Sequence, residues 1–339
     1  MQKTLVSTLA VAAFSFSASV ALAGPTIDQV KKRGNLVCGS NPGIAGFGLP
    51  DDKGAWTGFD VDFCRAIAAA IFNDPSKVRF VPLSAKDRFT ALQSGEIDVL
   101  SRNTTWTQSR EVAQGFEFGP VTYYDGQGFM VRKKLNVASA LELTGASVCV
   151  QQGTTTELNL ADFFRTHDMK YESVVFATAD EGIKAYDTGR CDAFTTDMSQ
   201  LYAERTKLGN PDDHAILPEV ISKEPLGPVV RQGDDQWFNL VKWTHYAMVT
   251  AEELGVTSKN LDEKAKAPNP EIKRLLGTEG NFGDGLGLTQ DWAYRIIKNL
   301  GNYGEVFEKN LGENSKLKIK RGINALWTNK GLQYAPPIR

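Results

Sequence analysis

The sequence predicts an α/β protein of two lobes, each a doubly wound and mostly parallel sheet, with two extended segments crossing between them as a hinge. Three observations carry this. From Asn35 onward, short apolar runs alternate with helical patterns, which is the grammar of strands joined by crossover helices. The same grammar restarts at Ala146 without close sequence repetition. Between and after these two runs lie Tyr123 to Lys134 and Ile221 to Arg231, extended stretches that carry glycine and, in the second, Pro225 and Pro228. Parallel neighbours in such sheets require right-handed crossovers.

The elements follow in order. Leu36-Val37-Cys38 reads as a buried strand ending in a loop from Gly39 to Gly43. After a turn at Asp51 to Gly54, Asp60 is expected to cap a helix over Val61 to Phe72, whose Phe63, Ile67, Ala70 and Ile71 share one face. Val78 to Val81 is the next strand, Lys86 to Ser94 a helix stopped by Gly95, and Ile97 to Leu100 a third strand. In the second run, Ala146 to Val150 is a strand, and Thr154 with Glu157 has the spacing of a capping box at a helix start. Val174 to Phe176 is a strand, Asp180 to Thr188 a helix closed by Gly189, and Cys191 to Thr196 a strand ending at Asp197. Beyond the second crossover, Asp235 to Leu254 is a strong helix. Thr289 to Leu311 holds two shorter helices broken at Gly301 or Gly304, and Tyr334 to Arg339 is extended. The expected boundaries are residues 24–126 with 223–339 for the first lobe, and 127–222 for the second.

Composition narrows the function. Lys3, an uncharged run from Thr4 to Leu22, and Ala21-Leu22-Ala23 before Gly24 form an export signal over residues 1–23. No later segment has the apolar length of a membrane span. A net charge of −2 leaves no electrostatic footprint for nucleic acid. The alternating basic residues Lys316, Lys318, Lys320 and Arg321 read as a solvated face. Cys38, Cys64, Cys149 and Cys191 contain no C-x-x-C, so in an exported chain they read first as disulfide partners. His167, His214 and His245 are scattered, and neither a metal site nor a cofactor is expected. Gly283-x-Gly285-x-Gly287 lacks the spacing of a dinucleotide fingerprint and reads as a loop.

Three blocks in order resemble the polar-amino-acid family of periplasmic substrate-binding proteins. They are Gly58-Phe59-Asp60-Val61-Asp62; Gly95-Glu96-Ile97-Asp98-Val99 with Thr105-Trp106-Thr107-Gln108-Ser109-Arg110; and Gly153-Thr154-Thr155 with Asp192-Ala193-Phe194 and Asp197. The match runs from about residue 34 to 250. The length and the ending Gly331 to Arg339 look like the larger, general L-amino-acid-binding subgroup. The resemblance implies the periplasmic-binding-protein fold, a monomeric periplasmic receptor without enzymatic activity, and the membrane permease of an ABC importer as partner.

A zwitterion needs an anion site, a cation site and shelter from water. Arg110 offers a fork that can bind a carboxylate bidentately, and Thr155 sits at a helix N-terminus that favours an anion. By resemblance, Thr105 adds a donor, Asp197 takes the ammonium, and Asn103 contributes its carbonyl. Phe47 is expected in the pocket, with the core as its other possible place. Where relatives that bind basic amino acids carry an acid and an aromatic ring, this chain has Asn41 and Ile44, which implies broad specificity. Pairing Cys38 with Cys64 and Cys149 with Cys191 keeps each bridge within one lobe and leaves the hinge free. A cyclohexadienyl dehydratase on the same scaffold is the alternative.

Overall fold

The computed structural model describes residues 26–339, so the expected export signal at residues 1–23 lies outside it. After the helix Thr26–Arg33 (α1), Leu36–Ser40 (β1) is buried at every position, as its apolar run requires of a central parallel strand. A small hairpin, Leu49–Pro50 (β2) with Trp56–Thr57 (β3), leads into the helix Phe59–Phe72 (α2). Val78–Pro82 (β4), the helix Arg88–Gln93 (α3), Val99–Leu100 (β5) and Phe116–Phe118 (β6) follow. Tyr123–Asp125 (β7) then crosses into a second unit. That unit holds Gln127–Arg132 (β8), Ser147–Gln151 (β9), Thr155–Thr166 (α4), Glu172–Phe176 (β10), Ala179–Asp187 (α5), Ala193–Asp197 (β11), Met198–Arg205 (α6) and His214–Ile216 (β12). Glu224–Leu226 (β13) returns beside β7, and Val229–Arg231 (β14) re-enters the first sheet.

The two five-stranded sheets mirror each other in order. The first runs β4-β1-β5-β14-β6 and the second β10-β9-β11-β8-β12. In each, three neighbouring strands are parallel and one returning strand, β14 or β8, is antiparallel to its neighbours. Between the sheets β7 and β13 pair antiparallel, with Asp125 opposite Glu224.

Several expectations shift in detail. Tyr123 to Lys134 is not one crossover: it breaks at Gly126, and β8 belongs to the second sheet. Asp60 does not cap α2. Gly58 takes that place at φ 137°, where a Cβ would stand 2.1 Å from the Phe47 carbonyl oxygen. The Asp60 carboxylate turns inward instead and accepts the Asn103 N–H at 2.7 Å and the Ser101 hydroxyl at 3.3 Å. Helix α3 starts at Arg88, two residues later than its pattern suggests. Thr154 caps α4 by accepting the Glu157 N–H at 3.2 Å, but the Glu157 carboxylate reaches Gly153, one residue short of closing the box.

The chain beyond β14 packs on the first unit. Asp235–Glu253 (α7), Leu261–Lys264 (α8) and Pro270–Leu275 (α9) precede Trp292–Leu300 (α10) and Tyr303–Asn310 (α11), with the break at Gly301. Trp292, Ile296, Ile297, Tyr303 and Phe307 share one core with Ile67 of α2 and Leu240 of α7. This C-terminal part also grips the crossover. Tyr303 donates its hydroxyl to the Thr122 carbonyl at 2.8 Å, and Asn324 bonds both the N–H and the carbonyl of Tyr124, at 2.7 and 3.0 Å. Arg321 is not a solvated cation. It forms a bidentate pair with Glu252 at 3.0 and 3.2 Å, with its guanidinium over the rings of Tyr303 and Phe307. Two disulfides lie inside the two units: Cys38–Cys64 joins β1 to α2, and Cys149–Cys191 joins β9 to the entry of β11.

Candidate functional site

The loops at the C-terminal ends of the parallel strands of both sheets meet across a cleft, the place where open α/β sheets present ligand sites. Its inner part is a narrow space of about 290 Å³ that opens toward solvent. The first unit contributes Arg88, Arg102, Asn103 and Thr105; the second contributes Gln151, Thr154 to Thr156, Thr196, Asp197 and Gln200. Four of the residues singled out from sequence therefore line one cavity from its two sides: Asn103 and Thr105 from the first unit, Thr155 and Asp197 from the second.

Local structure explains each. Asn103 takes a positive φ of 34°, held by its N–H bond to Asp60. Thr155 begins α4, where the first N–H groups lack intrahelical partners and the helix dipole favours an anion. Asp197 ends β11 and is buried. Burial, then the negative charges of Asp125 and Glu224, hold its carboxyl well above the usual range, while Arg88 and Arg110 oppose that rise. Asp125 is pushed up to about 6, chiefly by burial, and hydrogen-bonds Ser199 of α6.

Three guanidinium groups face these acids. Arg110 is buried against the cleft wall but does not line the cavity. It donates to the Thr105 carbonyl at 2.7 Å and stacks over Phe89 at 5.1 Å. Burial lowers its pKa to about 10, against the pull of Glu224 and Asp197. Arg102 donates to the Leu83 carbonyl at 2.9 Å, and burial lowers it to about 10 despite Asp60. Arg88 is buried with no partner for its Nε. Burial and the like charges of Arg110 and Arg102 depress its pKa strongly, with Asp197 and Glu224 pulling the other way.

An outer cavity of about 560 Å³, open to solvent, shares Arg102 and Gln151 with the inner one. Asn41, Pro42 and Gly43 face Thr178, Ala179 and Asp180 across it. Asn41 donates to the Asn103 side chain at 3.1 Å, and the Lys207 ammonium bridges the units by reaching the Gly43 carbonyl and Asp180. Phe47 lines neither cavity. It is buried in the core, edge-on to Phe59 and Tyr123, because the turn at Ile44–Gly48 folds its ring under α2.

The sequence pattern of the bacterial extracellular solute-binding proteins, family 3, matches residues 36–260. The chain belongs to that family. Relatives within it extend the likeness over the C-terminal part as well. The general L-amino acid-binding periplasmic protein AapJ of Rhizobium johnstonii is 61% identical, over 99% of both chains. The glutamate/glutamine/aspartate/asparagine-binding protein BztA of Rhodobacter capsulatus is 54% identical, over 96% of this chain and 99% of its own. A solved Brucella ovis ABC transporter periplasmic binding protein with glutathione bound is 59% identical. It superposes with a TM-score of 0.92 over 93% of this chain and 99% of that one.

As a solute-binding protein of this family, the chain shows polar cleft residues that sequence reading missed. Arg88 is indistinguishable from a surface residue in Lys86 to Ser94, since only the fold turns it inward. Arg102 and Glu224 carry no periodic signal. Glu224, next to Pro225, was legible only as part of a crossover, yet its carboxylate is 1% exposed and accepts four hydrogen bonds. Thr105 and Thr155 both donate to Glu224, at 2.6 and 2.8 Å, so their hydroxyl protons are committed away from an incoming anion. Among the described residues, no group of His, Cys, Asp or Glu side chains is arranged to hold a metal ion.

Proposed function

We propose that this chain is an exported, monomeric receptor that encloses an L-amino acid between two closing lobes and presents it to the permease of an ABC importer. The observation that carries the reading is the inner cavity. It is walled by both units, with guanidinium groups on one side and Asp197 on the other. The ligand carboxylate is assigned to Arg88 and the first-turn N–H groups of α4 at Thr155, with the Arg110 cation set behind the Thr105 backbone; the ammonium is assigned to Asp197, with Asn103 and Thr105 beside it. Asn41 stands at the outer edge, where a side chain would leave the inner cavity. Asn41 carries no charge and Asp180 across the cavity is paired with Lys207, which supports broad specificity, as do the names of the relatives from Rhizobium and Rhodobacter. The dehydratase alternative is the weaker reading, because all three relatives are named as binding proteins.

A competition panel of the twenty L-amino acids against a labelled amino acid tests this. Binding spread over several polar and acidic side chains is expected. A preference above a thousandfold for lysine and arginine over glutamate and glutamine would overturn the specificity reading.

The outer cavity favours a second ligand class alongside the first. It continues from the inner one past Arg102 and Gln151, so an amino acid extended through its side chain fits with its α-groups anchored inside. A γ-glutamyl peptide is such a ligand, and the Brucella ovis relative holds glutathione. Calorimetry with glutathione beside free glutamate checks it; comparable affinities are expected, and no heat from glutathione removes this class.

A further inference from the structure

Glu224 sits on the returning crossover strand, outside every motif that marks the binding site, yet it holds both walls of the cleft. Its Oε2 accepts the Thr105 hydroxyl of the first unit at 2.6 Å and the Thr155 hydroxyl of the second at 2.8 Å. Its Oε1 accepts Asn159 of α4 and Ser222, each at 2.7 Å. A carboxylate offers about four acceptor sites, so this one is saturated. The two threonine oxygens stand 3.4 Å apart, so at the inner end of the cleft this carboxylate joins the two units, as Lys207 does at the outer end.

We infer that Glu224 is a positioning residue that couples lobe closure to ligand capture. This rests on the two-lobed amino-acid reading above and deepens it. Two consequences follow from the bonding. First, the bonds to Thr105 and to Thr155 with Asn159 coexist only when the two walls adjoin, so the carboxylate favours the closed cleft before any ligand arrives. Second, each hydroxyl has one proton, and both protons point at Glu224. The two oxygens therefore face the cavity as acceptors, suited to an ammonium rather than a carboxylate. A receptor whose competent state is already populated binds more tightly by that population, since apparent affinity scales with the competent fraction.

The test uses Glu224→Gln, which keeps the shape but replaces one acceptor oxygen with a donor. Spin labels at Asp52→Cys and Glu172→Cys, both exposed and on different units, report the distance across the cleft. The native cysteines are all disulfide-bonded, so only the introduced thiols react. Without amino acid, the closed population is expected to fall at least fivefold in Glu224→Gln. With L-glutamine as probe, Kd should rise by a similar factor, carried mainly by faster dissociation. Asn159→Ala, which removes one donor on the second unit, should shift both readouts in the same direction by less, and it serves if the first variant fails to fold. A folded Glu224→Gln protein with an unchanged closed population overturns the inference, as does a lost closed population with unchanged Kd. The distance measurement needs no ligand, so a wild type that binds no amino acid would sink the ligand reading while leaving the clasp to be judged on closure alone.

Discussion

Replacing Arg88 with methionine should raise the stability of the ligand-free protein and lower its affinity, two effects of opposite sign from one side chain. The Arg88 Nε is buried without a partner, and a buried unsatisfied donor costs about 1–3 kcal/mol. Arg102 and Arg110 add like-charge repulsion, while attraction to Asp197 and Glu224 and the stacking over Phe89 at 5.0 Å offset part of it. Methionine fills a similar length without a charge, so the net gain is about 1 kcal/mol, or roughly 2 °C in Tm for a chain of this size. In the proposed complex, the ligand carboxylate would supply the missing partner. Removing one member of a buried charged pair costs about 2–5 kcal/mol, which is roughly a 30-fold or greater loss of affinity. Calorimetric melting of the free protein and titration with L-glutamine measure the two separately. A lower Tm with unchanged Kd would refute the reasoning, because Arg88 would then be a structural residue.

Arg110→Ala should weaken amino-acid binding by about 30-fold or more, since it removes a buried cation and its bond to the Thr105 carbonyl; less than threefold loss with the fold intact refutes its role. Each disulfide should contribute roughly 3.5–4 kcal/mol by the chain-entropy relation for loops of 26 and 42 residues, so Cys64→Ser or Cys191→Ser lowers Tm. Peptide mapping that finds any other pairing would contradict the assignment. Burial raises Asp60 from 3.8 to about 6, so its proton is held more tightly in the folded state. Its stabilising share, about 3 kcal/mol, is fully present below about pH 4 and is lost as pH rises through 6. Asp60→Asn should therefore reduce the fall in unfolding free energy between pH 4.5 and 7.5 measured by urea titration; an unchanged slope counts against it.

Periodicity made the sheets legible, because strands buried on both faces must be apolar throughout and their crossover helices must show an apolar stripe. The lobe boundary was expected at Gly126, but periodicity does not show that β7 and β8 on either side of it belong to different sheets, since both segments are extended. The acceptor and donor residues at strand ends were legible where they formed a family pattern, as with Thr105, Thr155 and Asp197. Arg88, Arg102 and Glu224 were not. Their burial is set by how distant loops converge, and a charged residue in a single sequence reads as exposed by default. Phe47 failed for the opposite reason: an aromatic ring beside a glycine-rich loop suits a pocket and a core equally, and the turn at Ile44–Gly48 decides between them.

The strand order of the first sheet has a consequence for how the chain assembles. β6 lies at the sheet edge with β14 as its sheet neighbour, yet Phe118 and Val229 are separated by the whole second unit. As the chain emerges from its N-terminus, β1, β4 and β5 can pair, but β6 waits for roughly 110 residues more. The second sheet draws all five of its strands from residues 127–216, so it can close on itself with short loops while the first still has an open edge. Non-local pairing of this kind is slow, and an unpaired edge strand is a site for wrong partners until it is covered. The part of the protein that is made first is thus the last to be completed.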